Sequence, residues 1–250
     1  MAENNGTAGQ EPPGFADTLG DILYPNRLPE AEGGLDGTLL TRIAGSYDFT
    51  LDRAGVSPAA VLWSSRRAQT LRFSRLLRGL GRDRLGPLVG AGPVSIADMG
   101  CGYGALFGWL RWRPCLWRGT YTGYDISPRM IATAQGRYDR DRRARFVLSA
   151  EPREEADYYL ASGLFGLRLD VGGDRWEQWC RGMLTAMAAR SRRGMAFNML
   201  DARGRDRRPT LYYADPAPYV AFCRDELGGE VTLIEDRYRI DFTVLVRWRR

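Results

Sequence analysis

The sequence predicts an α/β fold in which a mostly parallel sheet is covered by helices on both faces. From Val94 onward, short apolar runs typical of strands alternate with longer stretches of helical periodicity. The last two β-rich runs, 230–236 and 240–248, are joined by only a few residues, which permits an antiparallel hairpin and no parallel crossover. The segment from Leu39 to Leu80, which precedes this α/β pattern, has helical periodicity and predicts an N-terminal helical extension.

The chain divides into three predicted parts. Residues 1–35 are rich in Gly, Pro, Ala and Glu and show no sustained period, so we expect a disordered leader. Residues 36–90 are the helical extension, which we expect to act as a lid. Within it, Ser57 followed by Pro58 is a typical helix start, with Ser as the N-cap. Residues 91–250 form the α/β domain.

Each element of the α/β domain has its own pattern. The predicted strands are short runs rich in β-branched, aromatic and small apolar residues, and the predicted helices are longer runs of helical period. In chain order, we predict strand 94–98, helix 103–111, strand 120–125, helix 128–137, strand 145–149, strand 156–161, helix 174–190, strand 194–200, helix 216–227 and the final hairpin.

The composition excludes several kinds of chemistry. The chain has 36 residues of Lys and Arg together, all of which are Arg, and it has no His. A His general base, a His-ligated zinc ion, a Ser-His-Asp triad, a lysine Schiff base and a lysine-dependent phosphate loop are therefore excluded. The 4 cysteines have no paired spacing. We expect them to be reduced thiols, and we predict no metal site.

The charge and hydropathy patterns indicate where the protein is located in the cell and what it binds. No apolar stretch approaches the ~20 residues that a membrane-spanning helix needs, and the first residues show no secretory signal. We therefore expect a cytoplasmic protein that does not interact with membranes. The formal net charge of +6 is compatible with nucleic acid or with a phosphorylated small molecule, although the arginines are mixed with acids as on an ordinary solvated surface.

A glycine-rich turn follows the first predicted strand of the sheet. Asp98 ends the strand, and Gly100, Gly102 and Gly104 follow at alternate positions. These glycines allow the backbone to bend sharply and to approach a ligand without an intervening Cβ. Asp125 ends the next strand, where a carboxylate is placed to accept both hydroxyls of a ribose. Together these features predict one nucleoside site at the carboxyl edge of the sheet.

Two nucleoside cofactors fit this turn. Gly100, Gly102 and Ala105 also satisfy the loose dinucleotide fingerprint, so a nicotinamide cofactor is one alternative. The acid at Asp98, the third glycine and the lack of chain for a separate substrate domain count against it. An acidic lining suits a ligand that carries an amine and a sulfonium, and S-adenosyl-L-methionine has both.

The segments DMGCGYG (98–104) and GYDIS (123–127) resemble motif I and the adjacent acidic motif of the class I S-adenosylmethionine-dependent methyltransferases. The resemblance covers about residues 55–250. It implies a seven-stranded, Rossmann-like methyltransferase sheet whose last strand is antiparallel and inserted. It also implies that S-adenosyl-L-methionine is the cofactor. The residues expected to bind the cofactor by this resemblance are Asp98, Gly100, Gly102, Gly104, Asp125 and Ile126.

A weaker resemblance covers other parts of the chain. The runs LASGLF (160–165), AFNML (196–200) and LYYADP (211–216) are similar to those of a poorly characterised group of bacterial methyltransferases. We associate some members of this group with small-molecule or surface-polysaccharide pathways. No Asn/Asp-Pro-Pro-aromatic tetrapeptide follows the fourth strand, and its absence argues against methylation of exocyclic base amines.

The same resemblance includes three residues of the helical extension, Trp63, Gln69 and Arg72. We expect them to fold over the mouth of the cofactor site as a lid and to contribute to cofactor binding. In this arrangement Arg72 pairs with the carboxylate of the cofactor, as guanidinium groups commonly do.

Methyl transfer from a sulfonium is an in-line displacement, so catalysis rests largely on alignment. Without His, any general base must be Asp, Glu or Tyr, and candidates lie near the ends of the fourth and fifth strands. Asn198, Tyr212 and Asp215 are the predicted catalytic residues. Asn198 has the clearest signal, because an amide inside an apolar strand needs a hydrogen-bond partner.

The sequence thus predicts a methyltransferase that acts on an oxygen or nitrogen of a small molecule, with sugars and anionic molecules among the candidates. Two alternatives stay open. One is an RNA methyltransferase, which only the basic isoelectric point of about 9.3 favours, so nucleic acid is not the expected partner. The other is a catalytically silent module that binds S-adenosylmethionine.

Overall fold

The computed structural model describes residues 37–204 and 207–249, and the predicted leader at 1–35 lies outside the described residues. None of the described helices combines the length and the apolar character needed to cross a membrane. In chain order the elements are α1 (Gly37–Ala54), a 3-10 helix (Pro58–Val61), α2 (Arg66–Leu77), a second 3-10 segment (Arg78–Val89), β1 (Ser95–Met99), α3 (Ala105–Leu110), a 3-10 turn (Pro114–Leu116), β2 (Thr120–Asp125), α4 (Pro128–Arg137), β3 (Ala144–Leu148), β4 (Ala156–Ala161), α5 (Gly173–Arg190), β5 (Ser191–Asp201), β6 (Tyr213–Ala214), α6 (Pro216–Ala221), a π-helical turn (Phe222–Glu226), β7 (Gly229–Glu235) and β8 (Asp241–Trp248).

The strands form one sheet with the order β3-β2-β1-β4-β5-β8-β7, and the short β6 pairs with the end of β5. Strands β1 to β5 are parallel, whereas β8 lies between β5 and β7 and is antiparallel to both. The mostly parallel sheet with an inserted antiparallel last strand confirms the predicted fold. The strand order reverses between β1 and β4, and open α/β sheets bind ligands at the carboxyl ends of the strands beside such a reversal.

Helices cover both faces of this sheet. On one face, Trp176 and Leu184 of α5 pack in a core that includes Phe197 of β5. On the other face, Leu76 and Leu80 from the N-terminal helical region pack against residues of β1, α3 and β2. Every residue of β4 is buried, as expected for a central parallel strand that is covered on both faces. The N-terminal helices therefore contribute directly to the core of the α/β domain.

The helix predicted to begin at Ser57 is interrupted, which corrects the sequence interpretation. Ser57 precedes only a four-residue 3-10 helix, which ends at Leu62 in a left-handed conformation with φ of 63°. The α-helix begins after Ser65, whose hydroxyl accepts a hydrogen bond from the Ala68 N–H at 3.1 Å. A left-handed conformation is costly for a side chain such as leucine. The bend at Leu62 places the next residue, Trp63, at the carboxyl ends of the strands.

Two smaller differences concern the last third of the chain. The helix predicted over 216–227 is α-helical only as far as Ala221 and continues as a π-helical turn. Strand β6, which has two residues, was not predicted, because so short a strand leaves no alternating pattern. In contrast, the predicted elements 120–125, 128–137 and 156–161 coincide with β2, α4 and β4.

Candidate functional site

Two adjoining cavities open at the carboxyl ends of β1, β4 and β5. The first cavity is lined by the glycine turn, the end of β2 and helix α1. The second cavity is lined by residues at the ends of β4 and β5 and by α2. The two cavities share Tyr47, Val61, Trp63 and Gly163.

Gly100 and Gly102 form part of the wall of the first cavity. Their φ angles are 72° and 52°, in the left-handed region that favours glycine. A Cβ at Gly100 would lie 3.1 Å from Leu164, and one at Gly102 would lie 3.1 Å from Val61. The turn therefore presents bare backbone to the cavity at both positions.

Asp125 ends β2 and lines the first cavity. Its Oδ2 accepts a hydrogen bond from the Gly102 N–H at 2.8 Å, and its Oδ1 accepts one from the Ser127 N–H at 2.9 Å. Burial raises the pKa of Asp125, although these two N–H groups act in the opposite direction. Each carboxylate oxygen keeps a lone pair for a further hydrogen bond. Asp125 thus links the glycine turn to the start of α4 and still has capacity to bind a ligand hydroxyl.

Ile126, the residue after Asp125, also lines the first cavity. Met130 of α4 and the residues Ser149 and Ala150, which follow β3, line the same end. The structure therefore brings five of the nine predicted cofactor-binding residues to one cavity, and they are Trp63, Gly100, Gly102, Asp125 and Ile126.

Asp98 lies below the glycine turn and lines neither cavity. Its side chain is buried, and its Oδ2 accepts a hydrogen bond from the Tyr121 hydroxyl. Its Oδ1 has no hydrogen-bond partner among the described residues. Burial, with a further contribution from the Asp125 carboxylate, raises the pKa of Asp98 to about 7. Whether Asp98 contacts a cofactor stays a prediction.

The raised pKa of Asp98 predicts a pH-dependent stability. An aspartate in the unfolded chain has a pKa of ~3.9. Between about pH 4 and pH 7, unfolding therefore releases a proton and is favoured by rising pH. Asp98 therefore lowers the free energy of unfolding by up to ~1.4 kcal/mol for each unit of rising pH. This effect levels off above the pKa that Asp98 has in the folded protein. Asp98→Asn is expected to show a shallower fall in stability over this range. Chemical denaturation of both proteins from pH 4.5 to 8 checks it, and equal slopes would contradict it.

Gly104 is placed differently from the other glycines of the turn. It lines neither cavity, and it precedes α3 with φ of 77°. A Cβ here would lie 2.7 Å from Tyr138 and 3.1 Å from Phe146, both in the core on that face of the sheet. The structure therefore gives Gly104 a packing role, and whether it also contacts the cofactor stays a prediction.

Gly104→Ala is expected to lower the free energy of unfolding by about 1–3 kcal/mol, because the methyl group overpacks the core at a left-handed position. Affinity for the predicted cofactor should be nearly unchanged. Thermal denaturation and calorimetry measure the two quantities. Gly136→Ala is the matched control, since a Cβ at that position in α4 meets no atom within 4 Å. A folded Gly104→Ala protein of full stability would contradict this assignment.

Trp63 lies at the junction of the two cavities and lines both. The guanidinium carbon of Arg72 lies 4.1 Å from the centroid of its ring. Trp63 also packs closely on Gly163, where a Cβ would lie 2.8 Å from the Trp63 side chain and where φ is 79°. Trp63 is thus the one predicted lid residue that lines the first cavity.

The two other predicted lid residues lie elsewhere. Arg72 lines the second cavity and forms an ion pair with Asp241. Its pairing with the carboxylate of the cofactor stays a prediction. Gln69 is nearly buried and lines a separate surface groove beside Tyr103. Because the helix is interrupted at Leu62, α2 begins only at Arg66, and Gln69 lies on a part of α2 that does not line the two cavities.

The structure brings only one of the three predicted catalytic residues to a cavity. Asn198 lines the second cavity, and its Oδ1 accepts a hydrogen bond from the Gly163 N–H at 2.8 Å. Tyr212 is buried, and its hydroxyl pairs with that of Tyr219 at 3.0 Å. Asp215 is exposed and caps α6 by accepting a hydrogen bond from the Ala217 N–H at 3.1 Å. Tyr212 and Asp215 line neither cavity.

Tyr47 of α1 lines both cavities and is not among the site residues predicted from the sequence. Burial raises its pKa, and the nearby Asp125 carboxylate raises it further. Helix α1 is held in this position by the Ser127 hydroxyl, which donates a hydrogen bond to Asp48. The only signal in the sequence was the apolar spacing of α1, which gives no indication of what the helix covers.

Comparison with known proteins adds independent findings. The family model described as "Methyltransferase domain" matches residues 97–163. A protein of Mycobacterium tuberculosis named "Putative methyltransferase Rv1506c" is 39% identical over 159 residues, which is 63% of this chain and 95% of that protein.

Solved structures with a similar fold were determined with S-adenosylmethionine or its demethylated product bound. Magnesium protoporphyrin IX methyltransferase from Synechocystis PCC 6803 has a TM-score of 0.58 at 14% identity, covering 88% of this chain and 100% of that one. Human N-acetylserotonin methyltransferase has a TM-score of 0.58 at 16% identity, covering 94% and 66%. N-methyltransferase NodS from Bradyrhizobium japonicum WM9, with S-adenosyl-L-homocysteine, has a TM-score of 0.54 at 16% identity, covering 83% and 98%.

Proposed function

Because the chain belongs to the class I S-adenosylmethionine-dependent methyltransferases, we propose that it methylates an oxygen or nitrogen of a small molecule held in the second cavity. The observation that carries this proposal is the pair of adjoining cavities with a shared boundary at Trp63 and Gly163. One cavity has the features of the cofactor site, and the other provides room for an acceptor beside it.

The first cavity is the proposed site of S-adenosyl-L-methionine. Gly100 and Gly102 leave room for the cofactor because a Cβ at either position would occupy space beside the turn. Asp125 accepts hydrogen bonds from the ribose hydroxyls, and Ile126 packs against the adenine. Among the described residues that line this cavity, Asp125 is the charged one, and its carboxylate suits a cofactor that carries a sulfonium and an ammonium group.

The protein contributes chiefly by alignment. When bound there, S-adenosyl-L-methionine would supply a methyl group on a positively charged sulfur, and its transfer to the acceptor would leave a neutral thioether. Trp63, Tyr47 and Gly163 at the junction hold the reacting atoms in line, an effect worth up to ~7–11 kcal/mol. The raised pKa of Tyr47 keeps its phenol protonated, so it donates a hydrogen bond instead of acting as a base.

The charges of the cavities favour a small molecule over RNA. The charged residues that line the second cavity are Arg72 and Asp241, and they pair with each other. Nucleic-acid binding depends on arginine or lysine groups that neutralise phosphates, and Arg72 is already neutralised. Two proteins with a similar fold are named as methyltransferases of small molecules, magnesium protoporphyrin IX and N-acetylserotonin, which is in keeping with a small acceptor.

Methyl-labelled S-adenosylmethionine and a bacterial extract test the proposal. The purified full-length protein is incubated with the small-molecule fraction and, separately, with the RNA fraction. We expect label to be incorporated into the small-molecule fraction, and to be lost when Asp125→Ala replaces the wild-type protein. Label found only in the RNA fraction would overturn the proposal.

A further inference from the structure

The second cavity is largely apolar. Its walls come from the segment before α2, from the loops that follow β4 and β5, and from the start of β8. A ligand in such a cavity gains free energy mainly by burying apolar surface. The apolar side chains around it include Leu62, Trp63, Leu167, Met199, Leu211 and Ile240.

The charged groups in its wall cancel one another. Arg72 pairs with Asp241, and Arg75 donates to Asp241 at 2.9 Å and to Asp236 at 2.7 Å. Two arginines and two aspartates thus form a network without net charge. Arg72 and Asp241 are only 8% and 2% exposed. A ligand with a full charge would lose its hydration in this cavity and would find no free countercharge, which is unfavourable.

Asn198 lines the same cavity and has one uncommitted hydrogen-bond donor. The residue is 3% exposed, and its Nδ2 has no hydrogen-bond partner among the described residues. Its Oδ1 is occupied by the Gly163 N–H, which fixes the orientation of the amide. A buried donor without a partner is costly, so an oxygen atom of a ligand at this position is favoured. Since Gly163 lines both cavities, this oxygen lies beside the junction.

We propose that the methyl acceptor is an uncharged, largely apolar molecule whose hydroxyl or carbonyl oxygen accepts a hydrogen bond from Nδ2 of Asn198. This inference rests on the proposed function and narrows its substrate class. It sets aside the anionic acceptors considered from the sequence, because the charges in the wall are already paired. It also sets aside sugars, whose many hydroxyls need more partners than one amide in an apolar wall provides.

Three probes of similar shape test the inference on the full-length wild-type protein saturated with S-adenosylhomocysteine. 2-Naphthol is neutral and has the oxygen, 6-hydroxy-2-naphthoate adds a negative charge, and naphthalene lacks the oxygen. Calorimetry is expected to give at least tenfold tighter binding for 2-naphthol than for either of the others. Equal or tighter binding of the naphthoate or of naphthalene would overturn the inference, and so would a failure of all three probes to bind. Failure of S-adenosylhomocysteine itself to bind would instead overturn the proposed function.

A substitution at Asn198 tests whether this residue donates the hydrogen bond to the ligand oxygen. Asn198→Asp keeps an oxygen that can accept the Gly163 N–H, but it removes the amide donor. We expect it to weaken 2-naphthol binding at least tenfold while affinity for S-adenosylhomocysteine is unchanged. Gln178→Glu, the same amide-to-carboxylate change at an exposed position of α5, is the matched control and should have no effect. Unchanged naphthol affinity in a folded Asn198→Asp protein would overturn the role of Asn198.

Discussion

Asp125→Ala is expected to weaken the binding of S-adenosylhomocysteine by more than tenfold. The substitution removes the carboxylate proposed to accept both ribose hydroxyls, and hydrogen bonds to a charged group are worth ~1.5–3 kcal/mol. It also releases the Gly102 N–H, which now donates to Asp125 at 2.8 Å, so the glycine turn loses an anchor. Isothermal titration calorimetry of the purified proteins measures the change.

Asp215→Ala is the matched control for this experiment. It removes an exposed aspartate that caps α6 and lines neither cavity. Its affinity for S-adenosylhomocysteine should equal that of the wild type, even though loss of the cap lowers stability by about 1 kcal/mol. An Asp125→Ala protein that is folded and binds with wild-type affinity would refute the assignment of Asp125.

Gly102→Ala is expected to lower the same affinity by about tenfold or more. The new Cβ would lie 3.1 Å from Val61 and would require a side chain at φ of 52°. Since Gly102 and Val61 both line the first cavity, relief of this crowding changes the shape of the proposed cofactor site. Calorimetry gives the affinity, and thermal denaturation separates it from any loss of stability.

Substitutions at two other glycines serve as controls for Gly102→Ala. Gly182→Ala in α5 introduces a Cβ that meets no atom within 4 Å, so both affinity and stability should be retained. Gly104→Ala, which crowds Tyr138 in the core, should lose stability but not affinity. If Gly102→Ala bound as tightly as Gly182→Ala, the backbone at Gly102 would have no close contact with the cofactor.

The features that could be predicted from the sequence depend on local patterns. Strand β4 was predicted at the correct residues because it is buried on both faces and, apart from Asp157, reads as an apolar run. Asp125, Gly100 and Gly102 were predicted to lie together because a strand, a glycine turn and a helix in succession restrict where the turn can be. The cavity that these three residues line agrees with that expectation.

The features that could not be predicted depend on contacts between distant parts of the chain. Arg75 and Asp241 are 166 residues apart, and nothing near Arg72 indicates that the same aspartate neutralises it. Gly104 has the same local sequence context as Gly102, and only the packing of Tyr138 separates their roles. Likewise, the position of Tyr47 depends on how α1 docks on α4, which the helical period of α1 does not specify.

A crystal structure of the protein with S-adenosylhomocysteine bound is the decisive test of the assignment of the two cavities. We expect the ribose hydroxyls to lie within hydrogen-bonding distance of Asp125 and the chain of the ligand to lie along Gly100 and Gly102. We expect its sulfur to lie at the junction beside Trp63 and Gly163, facing the second cavity. Density for the ligand outside the first cavity, or a sulfur directed away from the second cavity, would contradict it.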